Sequence, residues 1–213
     1  MQEELRERLR RGESPETLLL LEHPHVYTLG RSATSDDILA SSDWLARRGV
    51  EVAECDRGGQ VTYHGPGQLV GYPILDLNPD RRDIRRYVRD LQEVLVRTLA
   101  AFGVRAEGKG EAALIGVWVG EAKIASIGVH LSRWITTHGF ALNVSPDLDY
   151  FAAIVPCGLP SVRMTSNADL TGERPALSEV AAVCAGHCAE VFGRRLRLAP
   201  AAGRQLAPAQ RLA

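Results

Sequence analysis

The sequence predicts an α+β fold in which a mixed or antiparallel β-sheet packs against helices. Strands and helices do not alternate regularly along the chain, two β-rich runs flank a tight turn, and one long segment has a clear helical period. With 213 residues, of which 45% are hydrophobic and 24% charged, the chain can bury a core of its own. We find no linker and no internal repeat, so we expect one domain over residues 1–213.

The first elements follow from short local patterns. The apolar run Thr17–Leu21 is typical of a strand, which His23-Pro24 ends. Residues Ser35–Arg48 have helical spacing with a break in the middle, and Gly49 is placed to stop the helix. A strand is expected next, at Val50–Cys55.

The most regular helix is predicted between Asp83 and Phe102. Its apolar positions keep a 3.6-residue period, and Gly103 stands where a terminating glycine belongs. The apolar positions are Ile84, Tyr87, Val88, Leu91, Leu95, Leu99 and Phe102. We therefore expect residues such as Ile84 to face the core and the arginines to face away from it.

The second half of the chain predicts a hairpin, one more strand and a last helix. The β-rich runs Ala113–Val119 and Ala122–Leu131 flank Gly120-Glu121, a pair suited to a two-residue turn with glycine first. A strand is expected at His138–Val144. Ser178 is predicted to cap a helix that ends at Gly193, and the tail beyond Leu198 is expected to be poorly ordered.

Composition excludes several classes of protein. A formal charge of −1 argues against a globally basic nucleic-acid binder, and four cysteines are too few for a disulfide scaffold. The start of the chain alternates Glu and Arg and has no apolar segment of a signal peptide or a membrane span. We therefore expect a cytoplasmic protein with neither nucleic acid nor membrane as partner.

The thiols of Cys184 and Cys188 stand four residues apart on the predicted last helix. Such a pair is a partial metal-ligand pattern, but the sequence has no second Cys or His pair at ligand spacing to complete a zinc shell. We interpret both thiols as core residues and predict no metal site and no cofactor. Cys55, at the end of a predicted strand, is also expected in the core.

The glycine-rich stretch Arg57–Tyr72 has the composition of a binding loop. Five glycines let the backbone approach a ligand closely, while side chains such as Arg57 and His64 supply polar groups. It has neither the Gly-Lys-Ser/Thr of a phosphate loop nor the spacing of a dinucleotide fingerprint. The alternative is a glycine-rich hairpin that only turns the chain.

Pro156, Gly158 and Pro160 flank Cys157, which predicts a loop where the thiol can react. A reactive thiol needs a cationic or basic neighbour, for which Lys123, His64 and His138 are candidates. Of the 25 basic residues, only Lys109 and Lys123 are lysines, and an ammonium, unlike a guanidinium, can lose its proton in a desolvated site. The alternatives are a buried small thiol and a simple compositional bias towards arginine.

Arginines also cluster around the start of the long helix, at positions 81, 82, 85, 86 and 89. Their ordinary explanation is a solvated helix face. Cations near a helix N-terminus oppose the macrodipole, however, so the cluster also predicts a docking surface for an acidic partner.

Four motifs in this order resemble the octanoyltransferase family of lipoate synthesis. They are Arg57–Tyr72, Lys123-Ile124-Ala125-Ser126-Ile127-Gly128, His138-Gly139-Phe140-Ala141-Leu142-Asn143-Val144 and Pro156-Cys157-Gly158. The resemblance implies an α+β catalytic domain like that of biotin and lipoate protein ligases, a fold of the class II aminoacyl-tRNA synthetase type. It also implies transfer of an octanoyl group from octanoyl-acyl carrier protein to a lysine of a lipoyl domain.

The resemblance also implies roles for individual residues. Cys157 would carry the acyl group as a thioester, and Lys123 would lower the pKa of that thiol and shuttle protons. The implied substrate-binding residues are Arg57, Gly58, Gly59, Gln60, Val61, Thr62, Tyr63, His64, Ser126, Ile127, Gly128, Gly139, Phe140 and Ala141. The implied acceptors are the lipoyl domains of 2-oxoacid dehydrogenase complexes and the glycine cleavage H protein.

Two other functions remain open from the sequence. An ATP-dependent lipoate or biotin protein ligase shares a glycine-rich loop and a similar lysine, but an adenylating ligase does not need Cys157. A non-catalytic module that binds acyl carrier protein or lipoyl domains would tolerate Cys157→Ser.

Overall fold

A computed structural model describes residues 1–111, 114–156 and 162–198. The helices are α1 (Gln2–Arg10), α2 (Ser42–Arg48), α3 (Ile84–Ala101), α4 (Asn167–Thr171) and α5 (Leu177–Phe192), with 3₁₀ turns at Ser35–Asp37 and Leu148–Ala153. The strands are β1 (Thr17–Leu21), β2 (Val26–Leu29), β3 (Glu51–Glu54), β4 (Val61–His64), β5 (Gln68–Ile74), β6 (Glu107–Lys109), β7 (Gly116–Val119), β8 (Ala122–Ser132), β9 (Ile135–Asn143) and β10 (Arg163–Met164). This arrangement confirms the predicted α+β class.

Within the described ranges the strands form two sheets. The larger has the order β1-β5-β9-β8-β7-β6, and its neighbours on this path pair antiparallel. The short β10 adds a parallel pairing to β8, so the sheet is mixed. The smaller sheet has the order β3-β2-β4, in which β2 pairs parallel with β3 and antiparallel with β4.

The main core lies between the large sheet and the two helices α3 and α5, which pack against each other. Leu91 and Leu95 of α3 are fully buried, as the helical period predicts, and Asp83 caps the helix by accepting from the N–H groups of Arg85 and Arg86. The expectation for Ile84 is wrong: its side chain is 48% exposed. The period alone does not distinguish a core-facing first turn from one that borders a cavity.

The last helix begins earlier than its cap signal predicts. Its first residue is Leu177 and its N-cap is Ala176, without a side-chain hydrogen bond, so Ser178 is not the cap. The end of the helix at Gly193, in the left-handed conformation, agrees with the prediction. Cys184 and Cys188 are buried in the main core, which confirms their interpretation as packing residues.

A second, smaller core lies beneath the three-stranded sheet and is mostly aromatic. Tyr27 and Tyr63 are fully buried there against Tyr150 and Phe151 of the second 3₁₀ turn. Tyr63 stacks on Tyr150 with ring centroids 4.9 Å apart, and the Tyr27 hydroxyl donates to the Tyr150 carbonyl at 2.7 Å. These contacts fix β4, which carries part of the glycine-rich stretch.

Several local predictions agree with the structure. The segment Ser35–Arg48 is broken into a 3₁₀ turn and α2, and Gly49 ends α2 in the left-handed conformation. The hairpin turns at Gly120, whose φ is +58°, as a two-residue turn with glycine first requires. Residues Gln2–Arg10 form a helix that the sequence analysis did not anticipate.

In residues 1–111, 114–156 and 162–198 we find no helix with the length and apolar character needed to cross a bilayer. The predicted poorly ordered tail, residues 199–213, lies outside the described residues.

Two glycines in different settings test how closely the backbones pack. A Cβ on Gly139 would lie 2.3 Å from the Gly71 carbonyl oxygen, whereas a Cβ on Gly186 of α5 meets nothing within 4 Å. We expect Gly139→Ala to lower the free energy of unfolding by about 1–3 kcal/mol, because backbone has to move. The matched Gly186→Ala should raise it by up to about 1 kcal/mol through helix propensity. Urea denaturation checks both, and equal effects would contradict the packing argument.

Candidate active site

A cavity of about 1040 Å³ opens between the two sheets and the first turns of α3. The segments that the resemblance singled out meet around it. The predicted residues that line it are Arg57, Gly58, Gly59, Gln60, Val61, Thr62, His64, Lys123, Ser126, Ile127, Gly128, Gly139, Phe140 and Ala141. Segments far apart in sequence therefore surround one space.

Two of the predicted triplets are cross-strand partners. Ser126-Ile127-Gly128 of β8 pairs residue by residue with Ala141, Phe140 and Gly139 of β9. Such a pairing presents adjacent side chains from both strands on the same face of the sheet. The two triplets thus form one continuous patch of the cavity wall.

The glycine-rich loop closes onto this patch because the contact residues have no side chains. The N–H of Gly58 donates to the carbonyl of Val129 at 3.0 Å, and a Cβ on Gly128 would lie 2.9 Å from the Gly58 oxygen. On the other side, a Cβ on Gly30 would lie only 2.3 Å from the Gly59 oxygen. The loop is therefore held between β2 and β8.

Arg57 ties the same loop to β2. Its guanidinium donates to the Thr28 carbonyl at 2.6 Å and to the Thr28 hydroxyl at 2.9 Å, and only 8% of the residue is exposed. A buried guanidinium needs such acceptors to offset its lost hydration. Part of the role of Arg57 is thus to shape the loop itself.

Lys123 is buried in the wall of the cavity, with 1% of the residue exposed. It lies on β8, opposite Trp118 of β7 on one side and Met164 of β10 on the other. Its Nζ lies 5.5 Å from the centre of the Trp118 ring. Gly116 makes room for the side chain, since a Cβ there would lie 2.5 Å from Lys123 Cε.

His64 presents a neutral imidazole to the cavity. Burial lowers its pKa to about 3, although the hydrogen bond of its Nδ1 to Gln68 Oε1, at 2.7 Å, opposes that shift. At neutral pH the ring therefore carries no charge.

Three further groups line the cavity, His23, Cys55 and His138, of which the sequence analysis expected only His138 at the site. His23 bonds the Tyr72 hydroxyl at 2.7 Å, and His138, with a φ of +57°, bonds Asp56 Oδ1 at 2.7 Å. Burial is the main cause that lowers the pKa of both histidines. Cys55 is half-buried at the cavity rather than in the core, because its strand lies at the edge of the smaller sheet.

One predicted site residue that the structure describes, Tyr63, does not line the cavity. Tyr63 points into the aromatic core, where its hydroxyl bonds His25 Nδ1 at 2.9 Å. Since β4 alternates its side chains, Tyr63 faces away while Thr62 and His64 face the cavity. Cys157 lies outside the described residues.

Comparison with known proteins agrees with this geometry. Residues 1–189 match the family model described as the lipoyl protein ligase A/B catalytic domain, a wider span than the motifs alone cover. An octanoyltransferase of Solibacter usitatus is 53% identical over 192 residues, covering 90% of this chain and 86% of the relative. The chain belongs to the octanoyltransferase family. It is therefore an acyltransferase, and the alternative of a non-catalytic binding module is wrong.

Solved structures show that this octanoyltransferase shares its fold with ligases. A bipartite lipoate protein ligase of Thermoplasma acidophilum superposes with a TM-score of 0.72 at 21% identity, covering 92% of this chain and 80% of that one. A biotin protein ligase of Aquifex aeolicus, in complex with biotin and ATP, gives a TM-score of 0.53 at 16% identity over 78% and 70% of the two chains. The predicted ligase-like fold is thus confirmed.

The buried neutral His64 should make the protein sensitive to acid. The unfolded chain protonates a histidine near pH 6.5, while burial holds the folded pKa at about 3. The unfolded state therefore binds the additional proton in this interval, so the stability from this group is complete above about pH 6.5 and falls as the pH drops towards 3. We expect the free energy of unfolding to fall less between about pH 6.5 and 5 in His64→Asn than in the wild type, by urea denaturation at constant ionic strength.

Asn is the chosen substitution because its N–H can still donate to Gln68. His187→Asn, at a partly exposed position on α5 outside the cavity, is the control for removing a histidine elsewhere in the chain. His23 and His138 contribute with the same sign in all three proteins, so the difference isolates His64. Identical slopes in the wild type and His64→Asn would contradict the buried neutral state.

Proposed function

We propose that this enzyme transfers an octanoyl group from octanoyl-acyl carrier protein to a specific lysine of lipoyl domains, through a thioester on Cys157. The observation that carries the proposal is the setting of Lys123. It is buried in the wall of a cavity that all three glycine-rich and β-strand motifs surround. A lysine there can exchange protons with reactants that enter the cavity.

The chain on both sides of Cys157 supports this assignment. Pro156 directly precedes it, and five residues after Cys157 the described chain resumes towards β10. Met164 then pairs with Lys123 itself, and the N–H of Thr165 donates to the Lys123 carbonyl at 3.0 Å. The described chain that follows Cys157 in sequence is therefore anchored beside the lysine at Met164 and Thr165.

The reaction consists of two transfers that balance without a further reactant. The Cys157 thiolate attacks the thioester carbon of the carrier, so that a new C–S bond forms while the C–S bond to the carrier breaks. Lys123 takes the thiol proton and returns it to the departing carrier thiolate. The amine of the lipoyl-domain lysine then attacks the enzyme thioester, a C–N bond forms, the C–S bond to Cys157 breaks, and Lys123 passes an amine proton to the leaving thiolate.

The energetics need no nucleotide. Exchange of one thioester for another costs little free energy, and the amide product is more stable than the thioester. An adenylating ligase, by contrast, needs ATP to activate a free acid. The 53% identity with an octanoyltransferase favours the first chemistry, whereas the likeness to ligases concerns the fold alone.

The cavity wall suits an acyl chain. Apolar side chains such as Val26, Ala53, Ile127 and Phe140 come from four different strands of both sheets. Each methylene buried against them contributes about 0.8 kcal/mol, so the depth of the apolar region can select a chain of about eight carbons.

The acceptors we propose are the lipoyl domains of 2-oxoacid dehydrogenase complexes and the glycine cleavage H protein. The Thermoplasma structure is described as a lipoate protein ligase and its E2 lipoyl domain, part of an archaeal lipoylation system. A shared fold and a shared chemical product, an acylated lysine, support the same class of acceptor here.

Incubation with octanoyl-acyl carrier protein in the absence of ATP tests the thioester directly. Intact-mass analysis should show one octanoyl group on the wild-type enzyme and none on Cys157→Ala, because the variant lacks the thiol that attacks the donor thioester. An octanoyl adduct of undiminished yield on Cys157→Ala would disprove the assignment.

A second arm of the same experiment addresses Lys123. We expect Lys123→Arg to form the adduct almost as poorly as Lys123→Ala, because a guanidinium keeps the charge but cannot exchange the proton. Substantial acylation of Lys123→Arg would reduce this lysine to an electrostatic role.

The start of α3 has the properties of a docking surface for the acidic carrier protein. Arg85 and Arg89 border the cavity, Arg86 is exposed beside them, and the exposed Ile84 adds an apolar contact. This surface contains fewer arginines than the cluster predicted from the sequence. Arg81 turns inwards, where its Nη1 donates to Asp90 at 2.6 Å and its guanidinium covers the Phe192 ring.

Charge reversal at this surface should weaken binding of the carrier. We expect Arg85→Glu together with Arg89→Glu to raise the KM for octanoyl-acyl carrier protein by about tenfold or more at low salt, since an attraction becomes a repulsion. The KM for a small octanoyl thioester should change much less. Arg105→Glu, an exposed position away from the cavity, is the matched control. Equal changes for the two donors would mean that the carrier docks elsewhere.

A further inference from the structure

Two buried amides connect the imidazole of His64 to the strand beside Lys123. Gln68 begins β5 and Asn143 ends β9, and the two residues are direct cross-strand partners. Both are 1% exposed. Gln68 Nε2 donates to Asn143 Oδ1 at 2.9 Å, and Asn143 Nδ2 donates to the carbonyl of Thr165 at 3.0 Å.

Backbone carbonyls fix the orientation of both amides. A carbonyl oxygen only accepts, so the amide nitrogen of Asn143 has to face Thr165, and the nitrogen of Gln68 has to face the carbonyl of Tyr63, at 3.2 Å. Turning either amide over would place two acceptors against each other inside the core, at a cost that a buried polar group rarely bears. The oxygen of Gln68 is thereby directed at His64.

The orientation of Gln68 determines the tautomer of His64. Because Gln68 Oε1 only accepts, the bond of 2.7 Å requires a proton on His64 Nδ1. A neutral imidazole with its proton on Nδ1 has a lone pair on Nε2, which lies on the side of the ring away from Gln68. His64 itself lines the cavity.

We propose that Gln68 and Asn143 are positioning residues, which hold His64 in the Nδ1–H tautomer so that Nε2 accepts a hydrogen bond from the attacking amine of the acceptor lysine. This inference rests on the proposed function for the identity of that amine. Of the two reactants, only the amine has N–H groups on its reacting atom. The donor reacts at a thioester carbon and sulfur, neither of which can donate to Nε2. The amine also has to be oriented with its lone pair towards the thioester, and an acceptor for one N–H provides that orientation.

Thr165 connects the amide network to the backbone of Lys123. Thr165 accepts from Asn143 through its carbonyl and donates through its N–H to the carbonyl of Lys123 at 3.0 Å. Thr165 is 2% exposed, so water does not compete for these bonds. The backbone of Thr165 thus contacts both the amides that hold the imidazole and the strand that carries the lysine.

The tautomer can be measured without any reaction. Long-range ¹H–¹⁵N NMR spectra of the uniformly labelled full-length protein, at about pH 7, should show a protonated Nδ1 and an unprotonated Nε2 for His64. In Gln68→Met, which has similar length but no acceptor, the ring should shift towards the Nε2–H tautomer. An Nε2–H tautomer or an imidazolium in the wild type would overturn the proposal.

The two half-reactions separate an acceptor role from a general loss of activity. We expect Gln68→Met to slow the transfer of octanoyl from preloaded enzyme to a lipoyl domain by at least about tenfold, while acylation by a small octanoyl thioester changes less than about threefold. His64→Gln should retain more transfer than His64→Asn, because the Gln oxygen lies near the position of Nε2, whereas Asn reproduces only the Nδ1–H. Equal slowing of both half-reactions, or the reverse order of Gln and Asn, would overturn the proposal.

Thr98→Val controls for the loss of a buried hydrogen bond. Its hydroxyl donates to the Val94 carbonyl at 2.8 Å within α3, and the residue is fully buried away from the cavity. This variant should lower stability but leave the ratio of the two half-reaction rates as in the wild type. Failure of the wild type to form any octanoyl enzyme would overturn the proposed function and the amine contact together, while the NMR measurement would still decide the tautomer.

Discussion

The contact of backbones without intervening side chains at Gly58 and Gly128 is the constraint on which the cavity depends. It holds the glycine-rich loop against β8, so that the loop of the smaller sheet forms a wall opposite the larger one. Gly30 and Gly59 make a second contact of this kind, and Gly71 and Gly139 a third between neighbouring strands. A single methyl group at any of these points would separate backbones that hydrogen bonds and packing hold together. The glycines therefore act as spacing elements for two sheets, in addition to giving the chain freedom to turn.

Several buried polar side chains in and behind the cavity wall have hydrogen-bond partners. Arg57 has the backbone and hydroxyl of Thr28, and His64 has Gln68, which in turn has Asn143. Buried polar groups without such bonds would cost several kcal/mol each. With them, the groups are rigid, since any rotation would break bonds that water cannot replace. The fold therefore provides a site whose geometry is set before a substrate enters.

The sequence predicts the fold class and the long helix well, because these depend on patterns that extend over many residues. The period of α3 and the glycine that follows it identify the helix within one or two residues. The same pattern misplaces Ile84, since a helical period does not show whether the first turn meets the core or a cavity. Ser178 is a similar case: a residue type favoured at caps is present, but the chain enters α5 two residues earlier.

The site was predictable as a set of segments but not as a geometry. The register of β8 and β9 places Ser126-Ile127-Gly128 against Gly139-Phe140-Ala141. The sequence leaves this register undetermined, because the turn that connects the strands contains two non-glycine residues of positive φ, Arg133 and Trp134. Tyr63 lies in the aromatic core because one face of β4 packs against that core while the other faces the cavity, and the sequence does not show which face is which. The amide network is also invisible in the sequence: Gln68 and Asn143 belong to two of the motifs, but they are 75 residues apart and nothing in the sequence pairs their side chains.

The structure gives a physical reason for the positions of the few lysines in this arginine-rich chain. Lys109 and Lys123, the two lysines of the chain, both line the cavity, and both place their ammonium groups over the same ring of Trp118, at 4.8 and 5.5 Å. A bias towards arginine acts on the whole chain and does not explain why the exceptions meet at one side chain. Space does explain the choice at position 123, because Lys123 Cε already fills the volume that a Cβ on Gly116 would need. The planar fork of a guanidinium is wider than an ammonium and needs more acceptors in one plane. The residue that the proposed chemistry needs as a proton carrier is thus also the basic residue that the packing at this point can hold.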